Sequence, residues 1–406
     1  MSYRIRSSCR LCGSPKLETV LQLQATPPAN EFVMPACVAE VQQEYPLYLS
    51  QCGDCEHVQL PVVVLPDILF SNYVYVSGTS PSFVRHFSDY AADMVVRFGL
   101  KPGDLVVDIG SNDGTLLGFF KSAGMRVLGV DPAKKIAEQA NASGIKTVCA
   151  FFDRGTAAKI LSEHGSATLV LANNVFAHAD DLQEIAHGVR DILDPLRGRF
   201  VFEVQYLVDL VQKTLFDMVY HEHLSYHAIQ PLLPFFDSIG MSAVDVRRIA
   251  THGGSIRMVV QNGRGLESSV QMQELLLQES RALSGDPFGD MTHRIQRAGQ
   301  QVRDALQGVT GKIVGYGAPA KLTTLMYQFG IPPDQIAYVV DDSPWKQGLL
   351  TPGKHITVES PERLLEPDNM PSCIVIFAWN FAEQIIKKYP QFKGSFIVPL
   401  PEFKKV

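Results

Sequence analysis

No run of about 18 or more apolar residues occurs in the 406-residue chain, so no membrane-spanning helix is expected. No polybasic tract is present either. Lys and Arg number 36 against 42 Asp and Glu, a formal charge of −6. That mildly acidic balance argues against a dedicated binder of nucleic acid or of an anionic membrane surface. The opening residues, MSYRIRSSCRLCGSP, lack the apolar core of a secretory leader, so a cytoplasmic location is expected. Short-period repeats and low-complexity tracts are missing. What remains is an ordinary globular composition, 46% hydrophobic and 19% charged. It excludes global disorder and suggests two or three domains of roughly 150 residues each.

Seven cysteines are an odd number, and a disulfide framework does not suit a chain without a leader. Four of them form two matched pairs, Cys9-Arg-Leu-Cys12 and Cys52-Gly-Asp-Cys55, each in a polar or glycine-containing turn. Two such turns let four thiolates converge on one Zn²⁺, which favours tetrahedral sulfur ligation. Four Cys leave no open position for water, so the zinc is expected to be structural. It would hold together a small N-terminal segment of under about 70 residues. The plain alternatives are four ordinary thiols, or a redox dithiol that leaves the second pair unexplained. Cys37, Cys149 and Cys373 are isolated and read as buried small hydrophobes.

Along the chain, residues 1 to about 68 are turn-rich with short strands, Glu44 to Gln51 being one. After Ser80-Pro81, Phe83, Phe87, Tyr90, Ala91 and Met94 recur at three and four, the period of an amphipathic helix. From about 105 to 205, the runs LVVDIG, MRVLGVD, IKTVCAFF, ATLVLANN and GRFVFEVQ alternate with helical stretches, the α/β pattern of a parallel sheet. A polar-faced helical region is expected from about Leu266 to Leu306. A second β/α block follows, with GKIVGYG, QIAYVVDD, SCIVIFAW and GSFIVPLPEF as its strands.

The first β/α turn reads Asp108-Ile-Gly110-Ser-Asn112-Asp113-Gly114. Its glycines permit a tight strand-to-helix turn with close backbone approach to a ligand. Asp131 ends the next strand, where a carboxylate can accept from both ribose hydroxyls of an adenosyl group. The three-glycine fingerprint that admits a pyrophosphate is absent. The loop instead suits a cationic adenosyl ligand without phosphates. A structural turn with a helix cap is the bland alternative.

Taken in order, CRLCG…CGDCEHVQ, VVDIGSNDGTLL, GVDPA, YHEHLSYH and GYGAPAK resemble the S-adenosylmethionine-dependent methyltransferases. More narrowly, nearly the whole chain resembles the deoxysugar C-methyltransferases that act on C-3 of a nucleotide-linked 4-keto-6-deoxysugar. The resemblance implies an α/β chain of three domains. These are a zinc-binding domain over 1–68, a Rossmann-like class I methyltransferase domain over 69–262, and a Rossmann-like substrate-binding domain over 263–406. It implies S-adenosylmethionine and a structural Zn²⁺ as cofactors and a nucleotide-linked keto-deoxysugar, thymidine-linked in most relatives, as substrate. No nucleic-acid or membrane partner is expected, and a monomer is the working expectation.

The run Tyr220-His221-Glu222-His223-Leu-Ser225-Tyr226-His227 is where the chemistry is expected. Forming a C–C bond with an S-methyl donor requires a carbon nucleophile. A ketone provides one when a base removes the neighbouring proton, and His titrates near working pH. A phenol or second imidazole can donate to the enolate oxygen. By resemblance, His223 is the general base, Tyr220 and Glu222 flank the sugar, and His178 is a second acid/base group. His221 and His227 read more simply, one facing solvent and the other capping or packing. A catalytic metal is disfavoured, because the H-E-x-x-H pattern fails at Ser225.

The resemblance also places an aromatic of the 73–80 region near the donor, and Tyr75 is the choice over Tyr73. Asn174 closes the fourth strand, at the edge where open α/β sheets bind ligands; it faces either the cofactor or the sugar, or is a simple loop residue. Pro319 and a missing third glycine disfavour a dinucleotide site at Gly315–Lys321. Lys321 is expected to meet the substrate diphosphate, against the plain alternative of a solvated helix lysine. Asp341-Asp342 reads as a surface turn, and His252–Arg257 as a hairpin into a strand. Two further readings stay open, methylation at oxygen or nitrogen and a non-enzymatic zinc adaptor on a degenerate methyltransferase fold.

Overall fold

The computed structural model describes residues 2–70, 81–366 and 369–406. The N-terminal segment holds β1 (Tyr3–Ile5), β2 (Leu17–Gln22), β3 (Tyr48–Cys52), β4 (Val58–Gln59), β5 (Val62–Val64) and α1 (Pro66–Phe70). The central segment runs α2 (Pro81–Phe98), β6 (Leu105–Ile109), α3 (Thr115–Ser122), β7 (Arg126–Val130), α4 (Lys134–Ala142), β8 (Thr147–Val148), α5 (Arg154–His164), β9 (Leu169–Asn173), α6 (Leu182–Ile192), β10 (Arg199–Gln205), α7 (Leu207–Gln212), β11 (Ser225–Tyr226), α8 (Ile229–Ser238), β12 (Met241–Ile249) and β13 (Ser255–Asn262). The remainder runs α9 (Val270–Ala282), α10 (Pro287–Gln307), β14 (Ile313–Tyr316), α11 (Lys321–Phe329), β15 (Val339–Val340), β16 (Val358–Glu359), β17 (Cys373–Ile376), α12 (Ala382–Lys388), β18 (Ser395–Val398) and β19 (Lys404–Lys405).

The central sheet has the order β12-β13-β10-β9-β6-β7-β8. Strands β6 to β10 are parallel, while β13 pairs antiparallel with both β10 and β12. The order reverses between β6 and β9, so a crevice opens at their carboxyl ends, the expected ligand position in such sheets. All five residues of β6 are buried, as a strand covered on both faces requires. The run IKTVCAFF yields only the two-residue β8, at the sheet edge.

The expected long helical region is two helices. Gly285 takes φ +77° between them. Asp286 then caps α10 by accepting from Gly289 N at 2.9 Å, with Pro287 at the first helical position. The C-terminal sheet has the order β16-β15-β14-β17-β18-β19, parallel except for β19.

A third sheet, β11-β4-β3-β2, is assembled from two distant parts of the chain. Ser225–Tyr226 pairs antiparallel with Val58–Gln59, extending the N-terminal sheet by a strand taken from the central segment. The apolar cores follow the same division. Leu47, Leu49 and Val58 share one core with Phe216, Val219 and Tyr226, and with Leu325, Phe329 and Val314 of the C-terminal part. The N-terminal segment therefore does not close a core of its own. The two faces of the central sheet carry separate clusters, one around Phe176, Phe200 and Phe236, the other around Tyr90, Leu117 and Phe120.

Candidate active site

Two C-x-x-C turns converge at the N-terminus. The sulfur atoms of Cys9, Cys12, Cys52 and Cys55 all lie within 4.8 Å of one another. The Cys9–Cys55 and Cys12–Cys52 separations are both 3.5 Å. Four thiolates about 2.3 Å from one zinc would stand roughly 3.8 Å apart, so this donor set fits a closed tetrahedral site. The residue after each second cysteine is left-handed, Gly13 at φ +75° and Glu56 at φ +63°, which turns both loops the same way. Asp54 N approaches Cys52 Sγ at 3.5 Å, as amides do around a thiolate ligand. Among the other cysteines only Cys373 is buried; Cys37 is half-buried at the end of the short 3-10 helix Pro35–Cys37, and Cys149 is exposed just past β8.

At the carboxyl ends of β6 and β9 lies a cavity of about 520 Å³. Asp108, Gly110, Asn112 and Asp131 line one side, with Asn174 next to them. Gly110 has φ +68°, and a Cβ there would stand 2.3 Å from Val175 Cγ2. The loop therefore requires glycine to pass the β9 loop. Asn112 and Asn174 also take positive φ, at +51° and +57°. Asp131 accepts from Asn112 N and Ala133 N, both at 2.9 Å, one on each carboxylate oxygen. Each oxygen keeps a second lone pair for a ligand hydroxyl. Gly114 does not line the cavity. It is the left-handed residue before α3, and a Cβ there would meet Ile145 at 2.9 Å, so its part is turn geometry and packing. Tyr75 lies outside the described residues.

Burial and the neighbouring Asp131 push the Asp108 carboxyl up to about 8, and burial raises Asp131 too. Two carboxyls held this way are stabilised by a cation beside them. The two carboxyls on that wall suit a positively charged adenosyl ligand.

Across the cavity, His178, Tyr220, Glu222 and His223 come together. A tight turn, His223 N to Tyr220 O at 2.9 Å, puts their ring centroids 4.0 Å apart. The His178 and His223 rings are 5.0 Å apart. His223 Nδ1 lies 2.8 Å from Met218 O. A carbonyl only accepts, so the proton sits on Nδ1 and Nε2 is the basic nitrogen. Asn30, from the N-terminal segment, donates to Glu222 Oε1 at 2.7 Å. Burial still lifts the Glu222 carboxyl to about 7.

Neither His221 nor His227 faces solvent; both are fully buried. His221 Nε2 faces Pro46 O at 3.2 Å, and His227 is stacked on Phe176. The folding of this segment into the third sheet draws them inward. Burial pushes both imidazoles down to about 4, which keeps them neutral.

The third wall comes from the C-terminal part. Lys321 is buried rather than solvated, with Nζ 2.7 Å from Asn380 Oδ1 and 3.7 Å from the Trp379 ring centroid. Burial lowers its amine to about 8, offset in part by the charge of Asp217. Asp217 accepts from Trp379 Nε1 at 2.6 Å. Asp341 is not a plain surface turn: it accepts from Ala318 N at 2.6 Å and Ser343 N at 2.8 Å, fixing the loop that leads into α11. Asp342 pairs with Lys388 at the surface. Gly253 and Gly254 form the β12–β13 hairpin turn, against Trp379 and Asp209 respectively.

Asn30, Asp217, Gln205, Asn380 and Trp379 carry no signal in the sequence. Each stands on a segment with no motif of its own and reaches the site only through tertiary packing.

A largely parallel sheet whose Asp-Gly loop opens on a cavity that also holds His178, Tyr220, Glu222 and His223 is the arrangement expected of a methyltransferase. Family models agree along the chain: a zinc binding domain over residues 9–70, a methyltransferase domain over 83–242 and a C-methyltransferase C-terminal domain over 250–401. The chain is 36% identical over 404 residues to C-methyltransferase NovU of Streptomyces niveus, covering 97% of this chain and 95% of that one. The chain belongs to this family of C-methyltransferases. Acceptor atoms other than carbon, and the adaptor reading, are thereby set aside. Among solved structures, magnesium protoporphyrin IX methyltransferase from Synechocystis PCC 6803 is 19% identical, covering 44% of this chain and 83% of its own, at a TM-score of 0.35. A methyltransferase from Clostridium acetobutylicum is 14% identical over 48% of this chain and 95% of its own, at 0.36. Likeness at that level decides nothing further.

Proposed function

We propose that this C-methyltransferase methylates C-3 of a nucleotide-linked 4-keto-6-deoxysugar, thymidine-linked by preference, by way of an enolate. The observation that carries the reading is the single cavity. It joins the Asp108/Asp131 loop, the His178–Tyr220–Glu222–His223 cluster and Lys321. When bound, S-adenosylmethionine supplies an electrophilic methyl group on a sulfonium.

The residues divide the remaining work. His223 Nε2 takes the proton from C-3, and the positive charge it gains is shared through Nδ1–H with Met218 O. Tyr220 and His178 stand beside that ring to donate to the oxygen at C-4 as charge develops there. Glu222, near its titration midpoint at neutral pH, orients the sugar with Asn30 behind it. Lys321 and Asn380 face the anionic end of the substrate. Asn174 stands between the two ligands.

The test is product NMR with a thymidine-diphosphate-linked 4-keto-6-deoxyhexose. A new methyl carbon bonded only to carbon is expected. Deuterium should enter C-3 from heavy water when S-adenosylhomocysteine replaces the donor. A methyl bonded to oxygen, or no exchange at C-3, overturns the reading.

A further inference from the structure

Arg10 lies between two zinc-site cysteines, yet its side chain is wholly buried and reaches away from them. Its backbone N is fixed by Gln59 Oε1 at 2.9 Å. Its guanidinium is then spread over two loops. On one side, Nε and Nη2 lie 3.1 and 3.0 Å from Asp180 Oδ1, two residues past His178. On the other, Nη1 donates to Leu224 O at 3.1 Å, the residue after His223, and to Leu60 O at 2.8 Å. The two loops are also joined directly, Leu224 N and Ser225 N both donating to Ala177 O at 2.9 and 3.0 Å.

A rigid, planar fork suits this task; a lysine ammonium is a point charge that cannot hold two loops at fixed separation. Burying a cation here is also costly unless its partners are kept. Asp180 is shared with Arg4 and Arg6, so it stays ion-paired if Arg10 is replaced. Leu224 O likewise keeps Leu60 N, at 3.0 Å, so what is lost with Arg10 is the side-chain bridge from Asp180 to Leu224.

We infer that Arg10, seated in the first zinc turn, is a positioning residue that sets the His178 ring against the His223 ring. The inference rests on the reading of those histidines as the acid–base pair. It gives the zinc turn a second part, as the anchor from which the reacting groups are aligned.

Arg10→Lys and Arg10→Met test it in the full-length, zinc-loaded protein. Three readouts are needed: zinc per chain by elemental analysis, S-adenosylhomocysteine affinity by calorimetry, and kcat and KM with the thymidine-diphosphate-linked 4-keto-6-deoxyhexose. Zinc content and homocysteine-product affinity should hold within about twofold while kcat falls at least about tenfold and KM moves little, since small misplacement of reacting groups acts on the chemical step. An unchanged kcat overturns the inference. So does loss of zinc or of fold in both variants, which would make Arg10 a residue of the scaffold only. His223→Ala, run alongside, separates the two claims. If it retains turnover, the base reading fails whatever Arg10 does; if it loses turnover and Arg10→Lys does not, only the positioning fails.

Discussion

His223 gives its Nδ1 proton to the carbonyl of Met218, 2.8 Å away, inside the turn that also carries Tyr220. That one bond fixes the tautomer and aims the basic nitrogen. His223→Ala should keep S-adenosylmethionine binding, measured by calorimetry, and lose turnover by about 10²-fold or more. Undiminished turnover would remove His223 from the role of base.

Glu222 ties stability to pH. Burial raises its carboxyl from 4.5 to about 7, so the folded protein holds the proton more tightly than the unfolded chain. Stability from this group is therefore full at low pH and is lost as pH rises from about 4.5 through 7. The loss is on the order of 3 kcal/mol above that window. Glu222→Gln keeps the acceptor for Asn30 and cannot ionise. Its melting temperature should gain on the parent at pH 8 and match it near pH 4. An equal difference at both pH values would contradict the burial argument.

Gly110→Ala places a methyl group against Val175 and forces alanine into left-handed backbone. The β6 and β9 loops must part, and the proposed donor pocket lies between them. Affinity for S-adenosylhomocysteine should fall at least about tenfold, with little change in zinc content, if the tight turn shapes the pocket. Calorimetry that finds the parent's affinity would show that the loop tolerates the added carbon.

Lys321 is charged but poorly solvated, so an anionic ligand beside it should be welcomed. Lys321→Met is expected to raise KM for the nucleotide sugar by roughly tenfold and spare kcat, the pattern of lost ground-state binding. A loss confined to kcat would move Lys321 from substrate binding to the chemical step.

Removal of zinc with a chelator should cost more than the N-terminal strands. Binding free energy of a structural zinc is folding free energy, on the order of 10 kcal/mol in small domains. Here the same core continues into Phe216 and Phe329. Circular dichroism and tryptophan fluorescence should change together, since Trp379 packs in that core. A fluorescence signal indifferent to zinc would argue that the units unfold independently.

Much of this was legible in the residues themselves. The paired C-x-x-C turns, the Asp108–Gly114 loop and the apolar strands of the central sheet each carry a local chemical reason for their form. The cluster at Tyr220–His223 was legible because its residue types are costly to place together without use. Other features were not. Strand β11 is two residues long and exists only because Val58–Gln59 lies beside it. The burial of His221 and His227 follows from that pairing, and no periodicity announces it. Arg10 reads as a polar residue in a turn until Asp180 and Leu224 are seen around it. Lys321 ranks among solvated helix lysines until Trp379 and Asp217 cover it. Local order was encoded locally, whereas partners brought in by a crossover were not.

The borrowed strand bears on how the chain is born. As synthesis proceeds from the amino end, β2, β3 and β4 emerge early, but their sheet lacks its fourth member until Ser225–Tyr226 has left the ribosome. An unpaired β4 edge must wait through the making of nearly the entire central sheet. Such waiting edges invite intermolecular pairing, and long-range closure is slow. Early capture of the metal by the four cysteines would keep the first segment compact over that interval, so zinc starvation during expression should show as aggregated nascent protein before it shows as lost activity.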